Sequence, residues 1–370
     1  MGGPTLQAQP APPFSISSRA AVLMDAQTGQ IIFAQNADER LEPASLSKIM
    51  TAYLAFEALG KGLIQLEDKV LISEAAWATG GSKMFVLVGD TVRFDDLLKG
   101  MTVSSGNDAT VAIAERLGGT VEGFADMMNA KAAELGMTNS HFVNPHGLPA
   151  ADHYASARDI AVLSRRHLSD HPNAIAYHSL KEYTYAITSA QLNRNRLLWT
   201  YPGADGLKTG NTTNAGYCLV ATAKREQDRF IAVVMGATSA AVREQEATRM
   251  LDYAFANFTT VGLADDSQAI TELRIWKGNR NLVTVGTNDP AAVTVRKGDE
   301  SNITTAYIFD KRIQAPVSRG QKVGELVVYV RGEEFHRIPL LAMEDVPTGG
   351  IIRRVFDGVR FFFARAFRRI

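Results

Sequence analysis

The stretch PASLSKIMTAYL, Pro43 to Leu54, opens an apolar helical run yet carries a serine and a lysine three residues apart. Ser45 and Lys48 share one face of that helix, because side chains at i and i+3 are neighbours on its surface. A lysine at the start of an apolar helix is costly to bury unless something uses it. A serine hydroxyl is a weak nucleophile until an adjacent base takes its proton. Lysine can be that base when burial and neighbouring cations depress its pKa toward neutrality. A helix N-terminus adds positive potential, which favours the neutral amine and stabilises a developing oxyanion. The spacing alone is a weak signal. Roughly one Ser-x-x-Lys is expected by chance in a chain this long, and in isolation Lys48 reads more readily as a snorkelling surface lysine than as a base.

Two distant segments change that reading. SSGNDATVAIAERLGG places Ser105-Gly106-Asn107 immediately before an apolar-periodic helix, where Asn107 or Asp108 could also serve as a plain cap. GADGLKTGNTTNAGYCLVATA places Lys208-Thr209-Gly210 just before or within a strand, where an edge lysine and a turn glycine are also ordinary. In this order the three segments match the Ser-x-x-Lys, Ser-x-Asn and Lys-Thr-Gly set of serine-acylating penicillin-recognising enzymes. The first two motifs occur once each in the chain.

Other constellations fail. No Gly-x-Ser-x-Gly elbow exposes a serine for a Ser-His-Asp triad. No His-Glu-x-x-His is present, and His141, His146 and His153 lack helical ligand spacing, which argues against zinc. These histidines read as structural, with His146 in the loop NPHGLPA placed to hydrogen-bond backbone. There is neither a P-loop nor a dinucleotide fingerprint, so nothing in the sequence asks for a cofactor.

The 370 residues exceed one ordinary core and predict two domains with a tail. Composition is that of a folded chain, 46% hydrophobic and 21% charged, with 39 basic and 39 acidic residues. The zero balance gives no support to a nucleic-acid partner. It also hides an asymmetry: Thr348 to Ile370 holds six arginines and one acid, Asp357, for +5, leaving −5 elsewhere. Cys218 is the single cysteine, so no intrachain disulfide can form. No run approaches the roughly eighteen apolar residues of a membrane-spanning helix.

Residues 19–35 alternate like two strands joined at DAQTGQ. Helical periodicity follows over 46–60, 93–101, 107–118, 122–135 and 156–167, the last opened by a Ser156/Asp159 capping-box pattern. Strand-like YCLVATA and FIAVVMGA then precede a helix over 243–257. This order predicts an α/β domain, an antiparallel sheet covered by helices. After about Asp265 come short β-branched runs at regular spacing, which predict a small all-β sandwich. From Ile351 the apolar residues follow helical spacing opposite the arginines, with Phe361 and Arg369 breaking the pattern. A basic amphipathic helix of this kind lies in a membrane interface plane; docking on the protein's own core is the alternative. The expected divisions are 1–14, a flexible leader or mature start of an exported chain; 15–264, the catalytic domain; 265–347, the β-domain; and 348–370, the anchor.

The chain resembles the low-molecular-mass penicillin-binding proteins, specifically serine-type D-alanyl-D-alanine carboxypeptidases. The resemblance runs from about Ser15 to the end and includes LLKGMTVSSGNDA, HGL followed by YASARDIA, LNRNRLLW and REQEA. It implies the penicillin-recognising fold followed by a β-domain and an amphipathic anchor on the outer face of the inner membrane. It implies peptidoglycan stem peptides ending in D-Ala-D-Ala as substrate, β-lactams as covalent inhibitors, and release of the terminal D-alanine. By the same resemblance Ser45 is the acylated nucleophile, Lys48 its base, and Ser105 the relay to the leaving amine. Asn107 holds Lys48 and the substrate amide; Lys208 supplies positive potential and helps hold Ser105. Thr209 and Gly210 align the substrate, and the backbone N–H groups of Ser45 and Asn211 form the oxyanion hole. Arg243 and Arg194 recognise the carboxylate, a sensible exopeptidase device beside Thr209. Close relatives often carry histidine where this chain has Asn211, which leaves that side chain's part in deacylation open.

Three rivals share the motifs. Class A β-lactamases carry Asp at the position of Gly106 and a deacylating Glu where this chain has Ser189. D,D-Endopeptidases use the same chemistry but generally lack the β-domain and anchor. A non-catalytic wall-binding protein would not need all three motifs intact.

Overall fold

The computed structural model describes residues 14–186, 189–263, 269–287, 290–310, 313–351, 354 and 357. The chain divides into two compact units, with the division between Asn257 and Phe258.

In the first unit, the expected hairpin forms from strands Ala20–Asp25 and Ile31–Gln35. Asp25 makes its turn by accepting the N–H groups of Gln27 and Thr28, while Gly29 takes φ +73, which glycine adopts without steric cost. The hairpin joins a five-stranded antiparallel sheet. From Ile31–Gln35 its order is Ala20–Asp25, Asp228–Ala237, Gly216–Arg225 and, at the edge, Ala204–Thr212. Both faces are covered, so the central strands are buried almost throughout. Helix Ala240–Asn257 covers one face, where Phe255 meets Phe230 edge-on. The other face packs on helices Lys48–Gly60 and Ala157–Asp170 in the main core.

Lys48–Gly60 is buried on nearly every side, as a central helix must be, with ten of its thirteen residues out of water. Truncating Ile49 there would cost about 2–5 kcal/mol. Beyond it, helices Phe94–Thr102 and Asn107–Gly118 build a second core around Phe94, Leu97, Met101 and Ile113. Ser156 caps Ala157–Asp170 as expected, accepting Asp159 N–H. The reciprocal half of the capping box is not made, because Asp159 instead accepts Asn139 N–H and the Ser140 hydroxyl.

The second unit contains a five-stranded antiparallel sheet. Its order is Ala269–Arg274, Leu282–Gly286, Glu333–Ala342, Lys322–Val330 and Ile303–Phe309. A further ribbon pairs Phe258–Gly262 with Ala292–Arg296. That pairing places the division seven residues before the 264/265 boundary expected from composition. FTTVG continues directly from the preceding helix, so its texture did not mark a linker. The expected helix over 348–370 lies mostly outside the described residues. Of its inner part, Ile351, Arg354 and Asp357 are helical, and Asp357 accepts Lys277 N–H.

Candidate active site

Three elements of the first unit meet at one place: the start of Lys48–Gly60, the start of Asn107–Gly118 and the edge strand Ala204–Thr212. Ser45 sits in a short 3-10 turn, Ala44–Ser47, that leads into the first helix, and is half-buried. Lys48 is 1% exposed. Its Nζ lies 2.9 Å from Ser45 Oγ, 2.6 Å from Asn107 Oδ1 and 2.8 Å from the His146 carbonyl.

The identity of those partners fixes what the amine can do. Asn107 Nδ2 donates to Gly80 O over 2.7 Å, so the amide's orientation is set and Oδ1 faces the lysine. Asn107 Oδ1 and His146 O can only accept. They take both N–H bonds of a neutral amine, and its lone pair is left for the Ser45 O–H. Burial, then the charges of Lys208 and Arg194, push the Lys48 pKa well below its ordinary range, with Asp108 opposing. The geometry accommodates a neutral base, and burial with the neighbouring cations favours it.

Lys208 is buried on the edge strand and held by donation to Thr209 O over 3.1 Å. Burial, then Arg194 and Arg243, bring its pKa down to about 7. The expected hydrogen bond from Lys208 to Ser105 is not made. Among the described residues the Ser105 hydroxyl has no partner; the residue is buried with φ +59, a conformation that is sparsely populated outside glycine.

Strand register separates the motif's side chains. Lys208 pairs with Val220 and Thr209 with Leu219. Lys208 therefore shares the face of the main core, whereas Thr209 shares the face covered by Ala240–Asn257, from which Arg243 rises. Arg243 Nη1 donates to Gly210 O and Cys218 O, and its buried Nε has no hydrogen-bond partner among the described residues. Gly210 makes a close approach: a Cβ there would lie 3.0 Å from Ala44 Cβ and 3.1 Å from Ser45 N, so the turn would have to give by a few tenths of an ångström. Asn211 is exposed, and its side chain donates to Gly216 O.

Arg194 is exposed and donates to Ser82 Oγ over 2.8 Å. Its turn is tied to the edge strand through Asn195 Nδ2 and Gly206 O. A cavity of about 350 Å³ adjoins it, lined by Ser82, Lys83, Phe85, Ser104 and Gln191 as well as Arg194.

Two contributors carried no catalytic-site role in the sequence. The HGL segment supplies the His146 carbonyl to Lys48, while His146 Nδ1 accepts Leu148 N–H, so this histidine does bond backbone. Asp108 accepts the N–H groups of Met84 and Phe85 and anchors that loop beside Asn107. The adjacency of Asp108 to the Ser-x-Asn motif was the only signal available.

A Ser-x-x-Lys helix set against a Lys-Thr-Gly edge strand, with Ser-x-Asn closing the third side, is the arrangement of the penicillin-recognising serine enzymes. Residues 5–239 match the family model described as D-alanyl-D-alanine carboxypeptidase, and residues 258–348 match the C-terminal domain of penicillin-binding protein 5. The D-alanyl-D-alanine carboxypeptidase DacC of Escherichia coli is 39% identical over 95% of this chain and 90% of its own. Penicillin-binding protein 5 of Haemophilus influenzae superposes with a TM-score of 0.81 at 39% identity, covering 91% of this chain and 99% of its own. Penicillin-binding protein D2 of Listeria monocytogenes, solved in an ampicillin-bound form, gives 0.61 at 31% identity, covering 66% of this chain and all of its own (100%). The chain belongs to the D-alanyl-D-alanine carboxypeptidase family.

Proposed function

We propose that the protein removes the terminal D-alanine from peptidoglycan stem peptides through an acyl-enzyme at Ser45, and that β-lactams acylate the same serine. The observation that carries this reading is Lys48 Nζ, 2.9 Å from Ser45 Oγ, with both of its N–H bonds directed to acceptors. Ser45 Oγ attacks the carbonyl between the two D-alanines as Lys48 takes its proton. The backbone N–H groups of Ser45 and Asn211 receive the developing oxyanion. As the tetrahedral intermediate collapses and the C–N bond breaks, the proton held by Lys48 passes through Ser105 to the leaving amine, and D-alanine departs. Water then attacks the ester, Lys48 takes its proton and returns it to Ser45 Oγ as the acyl C–O bond breaks, and Ser45 is restored. Asn107 holds the base, and Lys208 provides positive potential beside Lys48.

Arg243 and Thr209 share one face of the edge strand, which supports a role in holding the substrate's terminal carboxylate. The unpartnered Arg243 Nε–H is a donor that an incoming anion would satisfy. Arg194 adds a second, solvent-facing cation. The helical spacing of apolar residues and arginines in the sequence of 348–370 supports an anchor that would hold the protein at the outer face of the bacterial inner membrane. No helix among the described residues is long and apolar enough to cross a membrane.

The test is release of D-alanine from a defined pentapeptide, together with covalent labelling by a fluorescent penicillin mapped to Ser45. Ser45→Ala should abolish both; retention of either signal would sink the mechanism. Labelling without D-alanine release would indicate a binding role, and rapid β-lactam turnover a lactamase.

A further inference from the structure

Ser47 and His153 form a buried pair next to the nucleophile that the acylation chemistry does not consume. Ser47 is fully buried and His153 is 4% exposed. His153 Nε2 lies 2.8 Å from Ser47 Oγ, a distance that by itself would suit a second nucleophile–base dyad. The donors decide otherwise. Val143 N–H donates to His153 Nδ1 over 3.0 Å, so Nδ1 is unprotonated and the neutral ring carries its proton on Nε2. Burial keeps the ring neutral, with its pKa pushed down to about 4. Nε2–H must then donate to Ser47 Oγ, and the Ser47 hydroxyl donates onward to Ala44 O, 3.1 Å away. His153 cannot take a proton from Ser47. The chain of donors runs one way and ends on the peptide just before the nucleophile.

That peptide needs holding. Ala44 has φ +47, a left-handed conformation that is strained for a residue with a Cβ. The Ala44–Ser45 bond is trans, so its C=O and N–H point in opposite directions. On the carbonyl side Gly147 packs so closely that a Cβ there would lie 1.8 Å from Ala44 O. Near the nitrogen, Gly210 approaches: its Cβ would lie 3.1 Å from Ser45 N. Fixing the carbonyl therefore fixes the direction of the Ser45 N–H.

We propose that Ser47 and His153 are positioning residues for the oxyanion hole, holding the Ala44–Ser45 peptide so that Ser45 N–H faces the developing oxyanion. This rests on Ser45 being the acylated nucleophile. In the full chain, Ser47→Ala should lower the maximal acylation rate by a fluorescent penicillin roughly tenfold to hundredfold. The non-covalent dissociation constant should stay within about twofold, since ground-state contacts are untouched. The acid limb of the pH–rate profile should not move, because the partners of Lys48 remain. The infrared carbonyl band of the acyl-enzyme should shift to higher wavenumber as its hydrogen bonding weakens, and Ser47→Thr should restore both rate and band.

His153→Leu should reproduce the loss, whereas His153→Gln, which keeps an N–H near the Nε2 position, should retain most of the rate. If Ser47→Ala does not fold, the Leu and Gln variants at His153 carry the same comparison. Acylation at the wild-type rate in Ser47→Ala, or a slower rate with an unshifted carbonyl band, overturns the proposal. Labelling that persists in Ser45→Ala overturns the nucleophile assignment instead, so the two failures are distinct.

Discussion

Gly210 and Ser45 are pressed together: a Cβ on Gly210 would lie 3.1 Å from the Ser45 nitrogen and 3.0 Å from Ala44 Cβ. Neither neighbour is a flexible side-chain end, so Gly210→Ala must push the strand away from the turn. The two proposed oxyanion donors, Ser45 N–H and Asn211 N–H, straddle this contact. Gly210→Ala should reduce acylation by roughly 10²-fold, the scale of losing one oxyanion donor, with a small change in melting temperature. Stopped-flow labelling with a fluorescent penicillin checks it; an unchanged rate would mean that the strand has room to move.

Arg194 lowers the pKa of both Lys48 and Lys208 from an exposed position. Arg194→Gln should therefore raise both. More of the Lys48 population is then protonated at a given pH, and the acid limb of the acylation profile moves to higher pH. Exposure means solvent screens the effect, so the two profiles should converge in high salt. Profiles that coincide at low salt would remove Arg194 from the tuning of the base.

Lys208 provides a stability test with a defined sign. Its pKa is about 7 when folded, against an ordinary value of 10.5. Between those values the unfolded chain binds the proton and the folded chain does not, so stability rises with pH across that window. Below pH 7 the full cost of burying the ammonium is present, on the order of a few kcal/mol. Lys208→Met should consequently be more stable than the parent at pH 6 and lose that advantage toward pH 10, while acylation falls. Parallel thermal melts over this range decide it; a constant difference would mean that the ammonium is not the source.

Removing residues 348–370 should shift the protein from the membrane pellet to the soluble fraction without loss of D-alanine release. The basis is the segment's net +5 charge and helical apolar spacing. Fractionation of cells carrying the full and shortened chains measures it, and an unchanged distribution refutes the anchor.

Much of this protein is legible from local pattern alone. Period-two and helical spacing located most of the strands and helices, because alternation and the 3.6-residue repeat are properties of neighbouring residues. The three motifs identified the chemistry, because Ser45 and Lys48 lie within one turn and need no tertiary contact to be neighbours. The wider constellation does depend on the fold. Asn107 reaches Lys48 across 59 positions and the His146 carbonyl across 98.

A backbone carbonyl has no residue signature, so nothing in NPHGLPA could disclose that it helps leave the lysine's lone pair free. The same holds for His153, whose role depends on which ring nitrogen Val143 N–H occupies. Sequence by itself established that a serine, a lysine and a helix start coincide. Tertiary structure alone lowered the lysine's pKa, through burial and the cations beside it, and set the direction of the Ser45 N–H, through a peptide held from residues about a hundred positions away.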